Sequence, residues 1–473
     1  MSEDRDPGVD ETTPRRYIVI GAGAVGGTIA ARLAQHEVQA IAVARGEHGR
    51  AISDHGLRLR TPDGDTLVHP KVWSSAEQAR LDHGDVLVLA VKAQDAGAAL
   101  AEWADAPLPD GTSAGETLPL LVCLNGVAGE DLAQRFFRRV FGVRVLAPCS
   151  HLEPGVVAAF FTGASAVLKM GRVPAAAATA EDQRLLTAIQ RVWSAALLRV
   201  DLPSDVMPWK YSKLVANLGN AVDALVGDVG GAIDLVELTR EEGRHVLRAA
   251  GISLVPDLEE VAENENRPGY APLPGQPRPG SSSWQSLALG RGSIESDYLN
   301  GEIVRIARRI GLDAPINARL SRIASRVARL GSAHALVTFY WAGGGRWLVE
   351  TLGPDLPARF ADLAWVLAVI GVVKLACAAG PAVLDWLSWP APKFWRPTCW
   401  AGAAVLVCWG GLNTIVGNLV LAGIVRPAGG FDRDAMVGHA WLWDPLFLAW
   451  GAALGLGMWA SRRRAVGLST ESG

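Results

Sequence analysis

Three stretches of this sequence hold residues whose types and spacing could do chemistry. The first is Gly21-Ala22-Gly23-Ala24-Val25-Gly26-Gly27, set between the β-rich run Tyr17 to Ile20 and a segment of helical composition from Thr28 to Gln35. A second apolar run, Gln39 to Ala44, follows. Strand, glycine turn, helix and strand in that order make a dinucleotide-binding unit. Gly21 allows the tight turn, Gly23 lets the backbone approach a pyrophosphate, and Gly26 lets the helix pack on the strand. The pyrophosphate would rest on the free N–H groups and the positive dipole end of the helix. The second run ends at Arg45, where NAD-selective sites carry an acid. An arginine suits the 2′-phosphate of NADP(H) through charge-assisted, bidentate bonds. NADP(H) is therefore the expected cofactor, with Glu47 weighing slightly against it.

The second stretch is a pair of strand ends. Asp85 to Val91 and Leu118 to Leu124 are apolar runs that end in Lys92 and in Asn125-Gly126. Ligands of doubly wound sheets bind outside the carboxyl ends of the strands, so Lys92 and Asn125 fall beside cofactor and substrate. The third stretch is Lys210, Lys213 and Asn217, which share one helical face. Two lysines so placed repel, and burial in a cleft adds to the effect, so Lys213 is expected to titrate below an ordinary lysine.

These residues need elements to hold them, and the chain is long enough for two or three domains at 473 residues. Its bulk balance, 49% hydrophobic and 20% charged with a formal net charge of -3, shows no basic field for nucleic acid. The average conceals a split. Most tryptophans lie in the last third, where charge is sparse, so the front reads as water-soluble and the back as lipid-facing. The five cysteines form no CxxC pair, and no metal site is expected. The opening MSEDRDPGVDETTPRR has no apolar core; it reads as a disordered tail over 1–14 rather than a secretory signal.

GAGAVGG, VARGEH, VKAQD, LNGV, WKYSKLVANLGNA and IESDYLNGEIVRIARRIGLDAPIN occur in that order between about residues 15 and 331. Together they resemble the ketopantoate reductase family. The resemblance implies an α/β Rossmann domain over 15–203 and an all-α substrate domain over 204–331, with the active site between them. It implies hydride transfer from NADPH to the keto carbon of a 2-oxo acid such as 2-dehydropantoate. It makes Lys213 the general acid, Glu295 an active-site glutamate, Asn125 a substrate and cofactor residue, and Lys92 a cofactor-side lysine. Ser283 lies near the family's substrate-binding serine, though its spacing to Glu295 leaves the register open by a residue. Asn217 could orient the lysine or the substrate. Asp297 and Tyr298 read as the start of a helix, and Pro315 and Asn317 as a turn after it. The Pro, Gly and Ser-rich segment from Glu263 to Ser283 reads as a long loop bordering the cleft.

Residues 332–473 are expected to form about four transmembrane helices, at Ser332–Val349, Ala361–Ala379, Thr398–Val425 and Ala440–Ala460. Arg462-Arg463-Arg464, Lys393 and Arg396 fall on the same side as the catalytic part, which predicts that side to be cytoplasmic. His334, Lys374 and Asp444 lie within these runs, and Lys374 could pair with Asp444. The sequence thus predicts a membrane-tethered NADPH-dependent reductase of a small 2-oxo acid, contacting the bilayer but no nucleic acid, with a homodimer left open. The competing reading is an NADP(H)-binding sensor coupled to the membrane part without turnover.

Overall fold

The computed structural model describes residues 13–151, 153–226, 232–273, 281–288, 293–326, 328, 392–427, 431–445, 447–448 and 451–452. The chain divides into two compact units, residues 1–225 with 229–328 and residues 226–228 with 329–473.

The first unit begins as an α/β layer. Its strands are β1 (Arg16–Ile20), β2 (Ala40–Val43), β3 (Leu57–Thr61), β4 (Gly64–Val68), β5 (Lys71–Trp73), β6 (Asp85–Leu89), β7 (Pro119–Val122), β8 (Arg139–Leu146), β9 (Cys149–Ser150), β10 (Val156–Ala159), β11 (Ala166–Arg172) and β12 (Leu198–Asp201). Eight of them form one sheet in the order β12-β11-β8-β7-β6-β1-β2-β5. Every pairing in it is parallel except β8 with β11. Both faces are covered, which is why the central strands are continuous apolar runs. On one face Tyr17 meets Trp193 edge-on at 5.5 Å between ring centroids; on the other Trp73 stacks with Trp103 at 6.4 Å.

The register of the sheet decides where the site falls. Ile20 pairs with Val43 and with Leu89, and Leu89 with Val122. Four strands therefore end in one row, and Gly21, Arg45, Lys92 and Asn125 follow along a single edge. The chain order reverses between β1 and β6, the switch point where such sheets hold ligands. Next to β7, β8 runs on past that row to Val145 and Leu146. A smaller sheet, β4-β3-β10-β9, packs on the first helix, α1 (Ala24–Gln35).

The helical part of this unit follows β12. Its elements here are α2 (Met207–Asn217), α3 (Ile233–Ala249), α4 (Asp257–Glu265), α5 (Ser282–Ala288) and α6 (Asn300–Arg309). Leu214, Leu218, Val246, Leu299 and Ile303 form its core, and Val127 from the Asn125-Gly126 turn joins them. Residues 315–326 are helical as well, which corrects the expected turn at Pro315 and Asn317. Asn317 is fully buried, accepting from Asn300 at 2.9 Å and donating to the Thr239 carbonyl at 3.1 Å, so it ties three helices rather than shaping a bend. Asp297 accepts from Ser321 at 2.7 Å and from Ser325 at 2.9 Å, locking the segment before α6.

In the second unit the helix Pro392–Leu421 contains the stretch Trp400–Leu421, long and apolar enough to cross a membrane by length and composition. Gly410 and Gly417 let Ala440, Asp444 and Leu448 approach it closely: a Cβ on Gly410 would lie 2.4 Å from the Leu448 nitrogen. Asp444 is buried beside His439, whose Nδ1 is 3.2 Å away. The first two expected spans, His334 and Lys374 lie outside the described residues, as does part of the fourth.

Charge ties the sheet to the helical part of the first unit. Glu263 on α4 is 2.7 Å from Arg144 of β8 and 3.3 Å from Lys169 of β11, with all three side chains largely buried. Lys169 also sits 4.0 Å above the Trp209 ring. Glu263→Ala would leave the buried Arg144 without its paired acid and Lys169 with Asp201 alone, 3.1 Å away. It is expected to lower unfolding stability by about 3 kcal/mol, read as a shift in the chemical denaturation midpoint; an unchanged midpoint would show that the pair contributes nothing.

Candidate active site

The row of strand ends opens into a cavity of about 1020 Å³. Its walls include Gly21 to Val25, Arg45, Lys92, Asn125, Lys213, Asn217, Ser282 and Glu295. Every expected site residue except Gly26 and Ser283 thus faces one space.

Gly26 sits behind the wall. A Cβ there would lie 2.0 Å from the Gly21 carbonyl, so this glycine is required by the packing of α1 on the turn. Gly21 has φ +95°, and a Cβ on it would strike Val91. Gly23 differs from both. It precedes α1 with φ −73°, and a Cβ on it would meet nothing within 4 Å. Its bareness serves no contact inside the protein, which fits a turn kept open for a ligand such as a dinucleotide pyrophosphate.

At the end of β2, Arg45 donates to Glu102 at 2.6 Å and to the Ser74 carbonyl at 3.2 Å. Glu102 is itself fixed by the Ala76 N–H at 2.9 Å. A carboxylate therefore stands at the arginine expected to meet a 2′-phosphate. The sequence offered Glu47 as the opposing acid; the acid in contact is Glu102, which lies 57 positions away in sequence.

On the opposite side of the cavity, four residues form a polar chain. Lys213 donates to Asn125 Oδ1 at 3.1 Å and also to the Val145 carbonyl. Asn125 Nδ2 donates to Glu295 Oε2 at 3.3 Å. Lys92 Nζ lies 3.3 Å from the same oxygen, and the Ala93 N–H reaches Glu295 Oε1 at 3.4 Å. Glu295 is 2% exposed, so it is a buried carboxylate held by a lysine, an amide and a backbone N–H. It reaches Lys213 through Asn125. The Asn-Gly turn that presents Asn125 needs its glycine: Gly126 has φ +77°, and a Cβ there would lie 2.8 Å from the Tyr298 carbonyl.

Lys213 titrates at about 7 instead of 10.5. Burial is the largest cause, followed by the positive charges of Arg144 and Lys210, with Glu295 pulling the other way. Lys210 was anticipated from the sequence; Arg144, on β8, was not. Asn217 faces the cavity one turn beyond Lys213. Ser283 does not face it. It is fully buried with no hydrogen-bond partner for its hydroxyl among the described residues, while Ser282 and Ser286 line the wall. The reason is helical: Ser282 and Ser286 are four apart on one face of α5, and Ser283 is turned about 100° away. The spacing from Glu295 could not fix that register.

Arg267 and Tyr270 also line the cavity, from the described part of the long loop. The loop is tied to the sheet side by the Thr162 N–H to the Gly269 carbonyl at 2.8 Å and the Ala271 N–H to the Phe160 carbonyl at 3.0 Å.

Residues 17–174 match the family described as Ketopantoate reductase PanE/ApbA, and residues 205–328 match its C-terminal counterpart. Residues 331–454 match a family described only as a protein of unknown function, DUF3995. A 2-dehydropantoate 2-reductase of Pyrococcus horikoshii is 24% identical over 335 residues, covering 67% of this chain and 98% of its own. The PanE/ApbA family ketopantoate reductase structure from Ralstonia eutropha JMP134 is 25% identical, with TM-score 0.54 over 67% of this chain and 99% of that one. A D-mandelate dehydrogenase structure with NADH and anilino(oxo)acetate has the same fold, with TM-score 0.54 at 19% identity over 67% of this chain and 99% of that one.

The empty space around Gly23 yields a direct expectation. Gly23→Ala should leave the thermal midpoint within about 1 °C of the parent, since the backbone angle suits alanine and no neighbour is displaced. It should weaken dinucleotide binding about tenfold, measured by calorimetric titration. Equal affinity in the two proteins would remove the pyrophosphate from this turn.

Proposed function

The chain belongs to the ketopantoate reductase family of oxidoreductases, and from that premise we propose that it reduces a 2-oxo acid, 2-dehydropantoate or a relative, to the 2-hydroxy acid with NADPH. The observation that supports this most is the amine of Lys213, titrating near neutrality and facing the same cavity as the glycine turn.

A ketone accepts a hydride at carbon and a proton at oxygen. A bound reduced nicotinamide supplies the hydride. Lys213 supplies the proton: an acid whose pKa lies near the working pH balances its protonated fraction against its readiness to donate. The new O–H bond forms as one N–H bond of Lys213 breaks, and the neutral amine recovers a proton from water in the cavity. Asn125 holds the amine on the cavity side through its Oδ1, and Glu295 holds Asn125. Asn217 and Ser282 are the polar groups we assign to the substrate. Gly21 to Val25 take the pyrophosphate at the N-terminus of α1. Arg45 takes the 2′-phosphate by giving up Glu102, an exposed pair worth at most about 1 kcal/mol. Giving up Glu102 should accordingly lower selectivity for NADPH over NADH by about fivefold at most.

We also propose that residues 331–454 attach this enzyme to a lipid bilayer, on the strength of the apolar Trp400–Leu421 helix and the further apolar runs in the sequence. The full chain should stay with the membrane fraction after an alkaline carbonate wash; recovery in the supernatant would refute attachment.

The acid is tested by turnover. Lys213→Ala should lower kcat for 2-dehydropantoate reduction by roughly 100- to 10,000-fold while NADPH affinity is kept. In the parent protein, donation requires the protonated amine. The rate of reduction should therefore hold steady below pH about 7 and fall roughly tenfold per unit above it, as the value of Lys213 sets. The reverse oxidation should rise over the same interval. A Lys213→Ala protein with full turnover would exclude the assignment.

A further inference from the structure

We propose that Lys210 and Glu130 are a positioning pair for the amine of Lys213: they place a buried ion pair one helical turn from it and fix the two strand ends to which it is bonded. This rests on the reading of Lys213 as the acid.

Lys210 is 3% exposed and lies beneath Lys213 on α2. Its Nζ meets three acceptors: the Leu124 carbonyl at 3.1 Å, the Val143 carbonyl at 3.5 Å and Glu130 Oε1. A neutral amine offers two N–H groups and an ammonium three. Three acceptors thus surround one buried nitrogen, one of them a carboxylate oxygen. Lys210 does not line the cavity, whereas Lys213 does, so only Lys213 reaches a bound substrate.

Glu130 lies just beyond the Asn125-Gly126-Val127 turn and is fully buried. Burial pushes its carboxyl up, and the charge of Lys210 pulls it back. Its second oxygen has no hydrogen-bond partner among the described residues. Within the protein the acid is thus committed to Lys210.

The two lysines make parallel connections. Lys210 bonds to Leu124 and Val143; Lys213 bonds to Asn125 and Val145. Leu124 and Asn125 adjoin at the end of β7, and Val143 and Val145 are two apart on β8, where alternate carbonyls point the same way. Fixing the lower rung therefore fixes the acceptors of the upper one.

The charged and titratable groups around Lys213 are Lys210 of its own helix, Arg144 of β8, Cys149 of β9, Cys123 after β7 and Glu295. Those facing Lys210 are Glu130 and Cys123. Burial lifts both thiols to about 12, so they are neutral at neutral pH. The balance at Lys213 then reads as two cations against Glu295, with Glu130 screening one cation from behind.

The two partners should accordingly move Lys213 in opposite directions. The test uses the full chain and the rate at which acetic anhydride labels Lys213 across a pH series, followed by peptide mass spectrometry. Only the neutral amine reacts, so the midpoint reports its titration without reference to turnover. Lys210→Met should raise that midpoint by about one unit, by removing a neighbouring like charge. Glu130→Gln should lower it, because Lys210 loses its counter-charge. The pH profile of 2-dehydropantoate reduction should shift in the same sense in each variant. Unmoved midpoints, or midpoints moving together, would overturn the pair. Should Lys210→Met not fold, Glu130→Gln alone decides, and a raised or unchanged midpoint overturns the proposal. Opposed midpoints in a protein whose Lys213→Ala variant keeps turnover would support the pair while removing the acid.

Discussion

An ammonium group on a cavity wall loses part of its hydration, and the energy of that loss depends on what replaces the water. At Lys213 the replacements are one β8 carbonyl and the side-chain oxygen of Asn125. Both are neutral acceptors. A carboxylate in direct contact would have held the proton firmly. Glu295 is instead placed one residue away, behind Asn125, where it steadies the amide and only partly offsets the effect of burial. The arrangement leaves the amine on the cavity wall well below an ordinary lysine.

The neighbouring lysine shows the opposite outcome from the same residue type. Lys210 has a carboxylate and two carbonyls and no open side; Lys213 has two neutral acceptors and faces the cavity. Three positions along one helix separate a lysine enclosed by its partners from one open to the cavity. The difference arises from the strand ends they meet, since β8 extends beyond the row at which its neighbours stop. That extension brings the carbonyls of Val143 and Val145 to α2. The register of the sheet thus sets the protonation behaviour of a helix residue.

The parts of the site legible in the sequence are those carried by local spacing. The glycine turn was readable because strand, turn and helix are contiguous, and Lys92 and Asn125 because each ends an apolar run. The like-charge neighbour of Lys213 was readable from a spacing of three. What escaped depends on partners distant in sequence. Glu130 reads as an ordinary acid in the first turn of a short helix, and nothing near it announces a lysine 80 positions on. Arg144 interrupts a β-run with no mark of the charge it adds near Lys213. Ser283 and Ser282 differ by one step in a serine triplet, and only the rotation of α5 separates them. Asn317 follows a proline and reads as a turn, yet its amide is spent on Asn300 and Thr239. In each case the residue type was visible and its partner was not.

The same distinction bears on cofactor choice. Arg45 stands at the end of β2, where the proposal puts a 2′-phosphate, but its meaning depends on Glu102, which arrives from the helical segment after β6. Glu102 is held in turn by the Ala76 N–H, so it cannot swing aside without breaking a second bond. A phosphate entering here would have to displace the carboxylate from the guanidinium or share it. The first course costs little, because the arginine is exposed and the pair is solvated; the second would place two anions side by side. Arginine at a strand end is therefore not by itself a preference for NADP(H). The preference is the difference between what the guanidinium gains from the phosphate and what it gives up in Glu102, and in this chain that difference is narrowed by one well-anchored acid.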